Sequence, residues 1–189
     1  MLVQSSNPPK KKRWTYDEYS TLGDNQRYEV IEGELLMLPA PDTLHQVWLR
    51  ELILAVGAHA RERSLGHLIP SPVDVVLDSE NIVQPDPSFL LQDNTASLGR
   101  KAIVGVPNLI IEILSLPTLG VDRYRKRRLY ARFGVSEFWV VDPGNASIET
   151  LVLNGGDYDL ASVAAKQGAV RSVLLKDFEV DVAQLVPRI

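Results

Sequence analysis

The chain has 189 residues, a formal net charge of −4 at pH 7, a pI near 5.4 and no cysteine. Disulfides, zinc–thiolate sites and thiol nucleophiles are therefore excluded, and a cytoplasmic location is expected. No apolar run approaches the ~20 residues of a membrane helix. The acidic balance excludes a uniformly basic surface, but it does not exclude a local basic groove for nucleic acid.

The length and the 45% apolar content predict a single domain over residues 14–189, preceded by a flexible basic arm over residues 1–13. The arm is polar and ends in four basic residues. It is either a frayed terminus, which we favour, or a segment that contacts phosphates. Thr15 and Glu18 then have the spacing of a capping box, which predicts a short helix to about Leu22.

Two β-hairpins are predicted in the first half of the chain. Residues 27–38 have the pattern of two strands around a turn at residues 32–33. Residues 73–77 are predicted to be a strand whose hairpin partner is the segment 82–91. Because that partner contains two prolines, we expect an edge position or a bulge near Asp86.

A long helix is predicted between these hairpins. Thr43 with Gln46 three residues later is a second capping box, and the apolar positions behind it predict a helix to about Arg63. His45 lies in the first turn of this helix. A histidine at such a position more often packs or makes local hydrogen bonds than acts as a catalyst.

One strand in the middle of the chain carries an unexpected charge. After a predicted loop over residues 92–107, residues 108–115 form an apolar run with Glu112 in its middle. The run predicts a strand buried on both faces. An ionised carboxylate there is strongly destabilising unless something pairs with it, so either a structural partner such as a buried arginine or a functional cation is expected.

The second half of the chain predicts a strand–helix–strand unit. A helix is expected over residues 122–133 and a buried strand over residues 137–142, which would lie parallel to the strand of Glu112. Residues 147–161 are predicted to form a hairpin, and residues 174–182 a last strand or strand-turn that closes the sheet. The predicted fold class is α/β (α+β).

Three residues from different elements could form one site. Asp86 lies where a proline-bounded strand end can direct a side chain into a cleft, and Lys126 can lean back over the strand of Glu112. Two carboxylates on adjacent strands can hold Mg²⁺, which prefers oxygen ligands and keeps several waters. Lys126 would orient the attacking water or stabilise charge on phosphorus, and Glu29 is a candidate third carboxylate.

The helix after Glu112 supplies further candidates. Asp122, Lys126 and Tyr130 are spaced by four residues and share one helix face. A surface Asp–Lys pair would explain Asp122 but not Tyr130, so we expect Tyr130 and His45 to shape the cleft. The helix is also rich in arginine, and this basic face is either simply solvated or a contact surface for phosphates. The arginines expected to contact nucleic acid are Arg123, Arg125 and Arg127.

These motifs follow one another in a specific order over roughly residues 14–150. They are Arg27–Glu34, Pro39–Pro41 with His45, Gln84–Asp86, Glu112–Ser115, Asp122 with Lys126 and Tyr130, and Gly134–Pro143. The ordered series resembles the Uma family, which consists of predicted restriction endonucleases within the PD-(D/E)XK nuclease superfamily.

The resemblance implies a restriction-endonuclease-like core, with a mixed central β-sheet flanked by helices. It also implies hydrolysis of DNA phosphodiester bonds that depends on Mg²⁺ or Mn²⁺, with Asp86 and Glu112 as the metal-binding carboxylates, and a homodimer. The superfamily motif has a lysine two residues after the second carboxylate, where this chain has Leu114. The resemblance places the catalytic lysine at Lys126 instead.

Two other function classes stay open. A catalytically weak or inactive nuclease-fold module would bind nucleic acid or a protein partner, and this binding would survive loss of the carboxylates. A small-molecule hydrolase would use the same carboxylates without a basic path to the site. Catalysis by a serine–histidine pair is not expected, because the chain has no Gly-x-Ser-x-Gly elbow.

Overall fold

The structure is a computed structural model that describes residues 12–23, 26–115 and 120–186, apart from the side chains of residues 121 and 122. Most of the predicted N-terminal arm therefore lies outside the described residues. Within these ranges the strands form two six-stranded sheets and one two-stranded ribbon. The predicted α+β class with mixed sheets and flanking helices is confirmed, but the strands divide between two sheets instead of forming one.

The strands of the first sheet are β1 (Tyr28–Ile31), β2 (Glu34–Met37), β4 (Asp74–Asp78), β5 (Asn81–Val83), β7 (Ser97–Leu98) and β8 (Ala102–Val104). Their order in the sheet is β2-β1-β5-β4-β8-β7. The β1–β2 hairpin confirms the predicted one. Glu32 and Gly33 both have positive φ values, 55° and 75°, as in a two-residue turn whose twist matches the strands.

The strands of the second sheet are β3 (Gly66–Pro70), β6 (Pro87–Leu91), β9 (Leu109–Ile113), β10 (Glu137–Asp142), β11 (Ser147–Asn154) and β12 (Asp157–Ala165). Their order in the sheet is β12-β11-β10-β9-β6-β3. As predicted, β9, which carries Glu112, pairs in parallel with β10, and β11 and β12 form a hairpin.

The described helices are α1 (Tyr16–Tyr19), α2 (Thr43–Glu62), α3 (Arg127–Phe133) and α4 (Val182–Leu185), and a π-helical segment (Val121–Lys126) leads into α3. The helix predicted over residues 122–133 is confirmed and ends at Gly134, whose φ of 83° gives the left-handed C-terminal turn. None of the helices in the described part of the chain has both the length and the apolar composition needed to cross a membrane.

The two capping boxes have different outcomes. At α1 the Thr15 amide donates to the Glu18 carboxylate at 3.2 Å, as predicted, although the helix ends at Tyr19. At α2 the predicted cap, Thr43, is wrong by one residue. The cap is Asp42, whose carboxylate accepts the His45 amide at 2.8 Å. Asp is among the strongest N-cap residues. Its carboxylate supplies the acceptor for the amide of His45, the third residue of the helix, which has no partner within the helix itself.

The side chains of β9 alternate between two hydrophobic cores, since successive residues of a strand point to opposite faces. On one face Leu109, Ile111 and Ile113 pack with Trp48 and Val56 of α2. This cluster holds α2 against the second sheet and explains the broad apolar face predicted for that helix.

The opposite face of β9 packs toward the first sheet. Here Ile110 and Leu114 share a buried cluster with Leu129 and Tyr130 of α3 and with Val75 of β4. Helix α3 is therefore packed against residues of both sheets. Every side chain on this face of β9 has to be accommodated between the two sheets and α3.

The single strand predicted over residues 82–91 is wrong, because the segment contains two strands in different sheets. Its first part, β5, is the antiparallel hairpin partner of β4, as predicted. Strand β5 belongs to the first sheet, whereas β6 lies inside the second sheet between β9 and β3. The expected edge position is therefore wrong as well. Pro85 interrupts the segment because it has no amide to donate, and the chain leaves the first sheet there.

Other strands differ from the predictions for local reasons. Strand β3 was missed because its five residues include both Gly66 and Pro70, which weaken a strand pattern. The loop predicted over residues 92–107 contains the short strands β7 and β8, which have only two and three residues. Patterns of that length carry little information on alternation.

The C-terminal prediction is also corrected. Instead of one strand over residues 174–182, β13 (Ala169–Arg171) and β14 (Glu179–Asp181) form a separate two-stranded ribbon. Buried Glu137 of β10 holds the connecting segment: its Oε2 accepts the amides of Val173 and Leu174 at 3.0 and 2.7 Å. The apolar residues that suggested a strand do pack into the core, from the connecting segment, from β14 and from the start of α4.

Candidate active site

Asp86 lies where the chain crosses from the first sheet to the second, directly before β6. Strand β6 pairs antiparallel with β9, so this crossing point lies beside the end of β9. The Oδ2 atom of Asp86 accepts the Ile113 amide at 2.9 Å. This hydrogen bond fixes Asp86 beside β9, at the residue that directly follows Glu112. The predicted adjacency of the two strands is confirmed.

Glu112 lies on the face of β9 that points toward the first sheet and α3. Its neighbours on that face are Ile110 and Leu114, and its own side chain is only 4% exposed. A carboxylate in such surroundings is unstable in its ionised form unless donors or cations surround it. The structure provides both.

Lys126 provides the positive charge. It ends the π-helical segment, is buried, and its Nζ lies 3.1 Å from Glu112 Oε1 and 2.8 Å from Glu29 Oε1. The two carboxylates come from different sheets, and the ammonium between them comes from the helix packed against both. The prediction that Lys126 leans back over the strand of Glu112 is confirmed.

Tyr130 provides a hydrogen bond to the same carboxylate. Its hydroxyl donates to Glu112 Oε1 at 2.5 Å, from one turn beyond Lys126. Burial, and after it the negative charge of Glu112, raises the pKa of Tyr130 well above its ordinary value. The phenol therefore stays protonated and acts as a donor throughout the physiological pH range.

Glu29 lies behind Lys126 and does not line the cleft described below. Its side chain is fully buried; Oε1 accepts the Gln84 amide at 2.8 Å, and no described residue donates a hydrogen bond to Oε2. Glu29 thus holds Lys126 from the side away from Glu112. We interpret it as a positioning residue instead of a third metal ligand.

His45 contacts the other carboxylate of the site. Its Nε2 lies 3.1 Å from Asp86 Oδ2, and because an ionised carboxylate only accepts hydrogen bonds, the imidazole is the donor. The histidine is buried at the first turn of α2. The sequence favoured packing or local hydrogen bonds for His45, whereas its side chain reaches a residue 41 positions away and lines the cleft.

These side chains meet at an open cleft of about 160 Å³. At ~30 Å³ per water, this is room for about five water molecules, or for an ion and part of a phosphate group. The lining includes Arg27, His45, Gln84, Asp86, Glu112 and Lys126.

The cleft is rich in negative charge. The carboxylates of Glu29, Asp86 and Glu112 are buried at or beside it, while the cations that the described residues place there are the buried Lys126 ammonium and the partly buried Arg27 guanidinium. A divalent cation held by Asp86 and Glu112 would offset the repulsion between their carboxylates. The donors are carboxylate oxygens, which suit Mg²⁺ or Mn²⁺ and not a soft metal.

The number of ligands also suits a weakly held ion. In the described ranges, no group of three or more histidine, aspartate or glutamate side chains is arranged around one metal position. Mg²⁺ commonly uses one or two carboxylates and fills its other positions with waters and substrate phosphates. The pair formed by Asp86 and Glu112 therefore fits Mg²⁺, whereas a closed protein cage is not present in these ranges.

The arginines expected to contact nucleic acid each have a carboxylate partner within the chain. Their side chains are half-buried or exposed, and they pair across to the neighbouring strands and turns. The pairs are Arg123 with Glu149 at 2.7 Å, Arg125 with Glu34 at 3.2 Å, and Arg127 with Asp157 at 3.2 Å. The side chain of Asp122, which was predicted to share a helix face with Lys126, lies outside the described residues.

Two cleft residues belong to motifs noted in the sequence but were given no role in the site. Arg27 precedes β1 by one residue, and Gln84 directly follows β5. Arg27 and Glu29 are two residues apart, so they share one side of the extended chain. The alternation of side chains along a strand was the signal that could have identified Arg27, because it places Arg27 on the same side of the chain as Glu29, a candidate site residue.

Comparisons with known proteins identify the family and the fold of the chain. A family model described as "Uma2: Putative restriction endonuclease" matches residues 15–183. A solved structure described as a putative nuclease belonging to DUF820 from Anabaena variabilis ATCC 29413 is similar to the chain, with 15% sequence identity and a TM-score of 0.73. The alignment covers 91% of this chain and 97% of that chain, and at this identity it shows the fold alone. A search of curated proteins found no match.

Proposed function

Because the chain belongs to the Uma2 family, described as putative restriction endonucleases, we propose that it is a metal-dependent nuclease that hydrolyses DNA phosphodiester bonds. Family and fold together support a nuclease, and the cleft supports the metal-dependent chemistry. The observation that carries most weight is the buried Lys126 ammonium between Glu29 and Glu112, at a cleft that Asp86 also lines.

Asp86 and Glu112 would hold the metal ion. Asp86 uses Oδ2 to accept hydrogen bonds from His45 and Ile113, and no described residue donates to its Oδ1. One oxygen of this carboxylate is thus fixed by the protein and the other is left for a cation. A bound Mg²⁺ would supply Lewis acidity and a polarised water whose pKa is lower than that of bulk water.

Lys126 lies at the wall of the cleft, where its charge would stabilise the negative charge that develops on a phosphate during in-line attack. Such stabilisation is effective because the ammonium is already fixed in place by Glu29 and Glu112. Tyr130 and Glu29 act indirectly: Tyr130 holds Glu112, and Glu29 holds Lys126.

Two further features belong to this proposal. Cleavage of both strands of a duplex requires two active sites or two successive events, so we propose a homodimer, which light scattering after size-exclusion chromatography would detect. A DNA substrate also implies a cytoplasmic location, where fractionation would find the protein.

The test is cleavage of supercoiled plasmid with Mg²⁺ or Mn²⁺. We expect cleavage by the wild type, and a loss of about 100-fold or more in Glu112→Gln, the scale seen when one group that stabilises a transition state is removed. Asp86→Asn should show a similar loss and tests the second carboxylate independently. Glu179→Gln, which alters an exposed carboxylate on the C-terminal ribbon, is the matched control and should keep wild-type activity.

A further inference from the structure

Arg27 is a cation on the wall of the cleft. Its backbone carbonyl accepts the Leu38 amide at 2.8 Å, which fixes the residue beside the proline-containing rim that follows β2. Its side chain is partly buried and lines the same cleft as Asp86 and Glu112. A positive group therefore stands at the mouth of a site whose interior is rich in carboxylates.

Gln84 orients this guanidinium. Arg27 Nε donates to Gln84 Oε1 at 3.0 Å. The other end of the amide is fixed as well, because Gln84 Nε2 donates to Asp74 Oδ1 at 2.7 Å, and Tyr19 donates to the same oxygen at 2.8 Å. With its nitrogen held by Asp74, the Gln84 amide can only present its oxygen to Arg27.

No described residue is a partner for the terminal nitrogens of Arg27. Arg123, Arg125 and Arg127 of the neighbouring helix are all neutralised by carboxylates, whereas the structure shows no ion pair for Arg27 with any described residue. Its only side-chain hydrogen bond with these residues uses Nε. The two terminal NH₂ groups form a planar fork that matches two oxygens of a phosphate.

We propose that Arg27 binds a phosphate of the nucleic-acid backbone at the mouth of the cleft, and that Gln84 is the positioning residue that orients it. This inference rests on the proposed nuclease function and deepens it by assigning substrate binding to one arginine. The carboxylates of the site repel phosphate, so a fixed cation beside them offsets that repulsion where the backbone enters.

The experiment measures binding of a fluorescein-labelled DNA duplex by fluorescence anisotropy at several KCl concentrations. The Glu112→Gln protein serves as the parent, so that the duplex is not cut. Adding Arg27→Ala should weaken binding about 10- to 100-fold, the range for losing a hydrogen bond to a charged group. It should also lower the slope of log Kd against log[KCl] by about 0.9, because one phosphate contact is lost.

Two further variants separate charge from geometry. Arg27→Lys keeps the charge but loses the fork, so affinity should fall while the salt slope stays at the parent value. Gln84→Met should likewise weaken binding about 2- to 10-fold without changing the slope, because Arg27 keeps its charge but has to be ordered on binding, which costs about 0.5–1.5 kcal/mol for one flexible side chain. A merely structural role of either residue would not produce this difference in slope.

Arg128→Ala is the matched control. Arg128 is exposed, lines a different cavity beside α3, and has no ion pair with a described residue. If Arg128→Ala weakens binding as much as Arg27→Ala, or if Arg27→Ala binds like the parent, the inference is overturned while the nuclease function stands. If the wild type neither binds nor cleaves DNA, the proposed function fails and the inference fails with it.

Discussion

Lys126 and Glu112 are 14 positions apart in the chain, yet the Lys126 ammonium lies 3.1 Å from Glu112 Oε1 in a buried setting. The lysine also contacts Glu29 at 2.8 Å, so one cation joins carboxylates from the two sheets. Buried ion pairs of this kind add little net stability, since desolvation opposes the Coulombic gain. Their presence at a cleft is better explained by chemistry than by stability.

Removal of Lys126 should destabilise the protein strongly. Lys126→Met leaves two buried carboxylates without their cation, and the expected loss in the free energy of unfolding is about 3–5 kcal/mol. Urea denaturation measures it. The matched control is Arg123→Met, which removes a partly exposed ion pair with Glu149 and should change stability by about 1 kcal/mol or less.

The same experiment has an internal check. The triple variant Lys126→Met/Glu29→Gln/Glu112→Gln removes the unpaired charges together with the lysine, so it should be more stable than Lys126→Met alone. A triple variant less stable than the single one would mean that the loss comes from packing of the lysine chain and not from charge.

The stability of the protein should depend on Tyr130 at alkaline pH. Burial, with the charge of Glu112, raises the pKa of Tyr130 in the folded state, so the folded chain keeps a proton that the unfolded chain releases near pH ~10. The associated stability is fully present below that pH and is lost as pH rises toward the folded-state pKa. Relative to Tyr130→Phe, the wild type should lose up to about 1.4 kcal/mol per pH unit above pH ~10.

Unfolding free energies of both proteins from pH ~8 to pH ~11 test this dependence. Below pH ~10 the difference between wild type and Tyr130→Phe should be constant. A difference that stays constant to the upper end of the range would show that the Tyr130 hydroxyl is not held protonated in the folded state.

The N-cap of α2 can be identified by a pair of alanine substitutions. Asp42→Ala removes the acceptor for the His45 amide and should lower the free energy of unfolding by about 0.5–2 kcal/mol. Thr43→Ala, at the cap predicted from the sequence, should have a much smaller effect. Thermal or urea denaturation gives both values, and the reverse order would contradict the observed cap.

Glu137 should control the local stability of the C-terminal ribbon. Glu137→Gln places an NH₂ group among three donors: the amides of Val173 and Leu174 and the indole of Trp139. Hydrogen exchange of the Val173 and Leu174 amides should accelerate about 10-fold or more, because hydrogen bonds to a charged group are worth ~1.5–3 kcal/mol. Glu149→Gln on the adjacent strand β11 should leave these amides protected.

Strands β9 and β10 could be predicted because their apolar runs are long and their order in the chain implies a parallel pair. The division into two sheets could not, because Pro85 has the same local pattern whether a strand bulges or ends there. Only the pairing of β6 with β9 distinguishes the two cases, and pairing partners are not encoded locally.

The candidate site shows the same limit. Glu112 was predicted from its own surroundings, since an isolated charge in an apolar strand needs a partner. Arg27 was not, because an arginine beside a strand resembles any solvated residue. Two features make it unusual: the Gln84 carboxamide holds its Nε, and it forms no ion pair with a described residue. Both depend on how the first sheet is assembled.

The most direct test of the central claim is the binding of Mn²⁺, followed by the loss of the free-ion signal in electron paramagnetic resonance. If Asp86 and Glu112 face one cation, Asp86→Asn and Glu112→Gln should each weaken Mn²⁺ binding about 10-fold or more, while Glu179→Gln should bind like the wild type. Undiminished Mn²⁺ binding in both cleft variants would contradict the claim that these two carboxylates hold the metal.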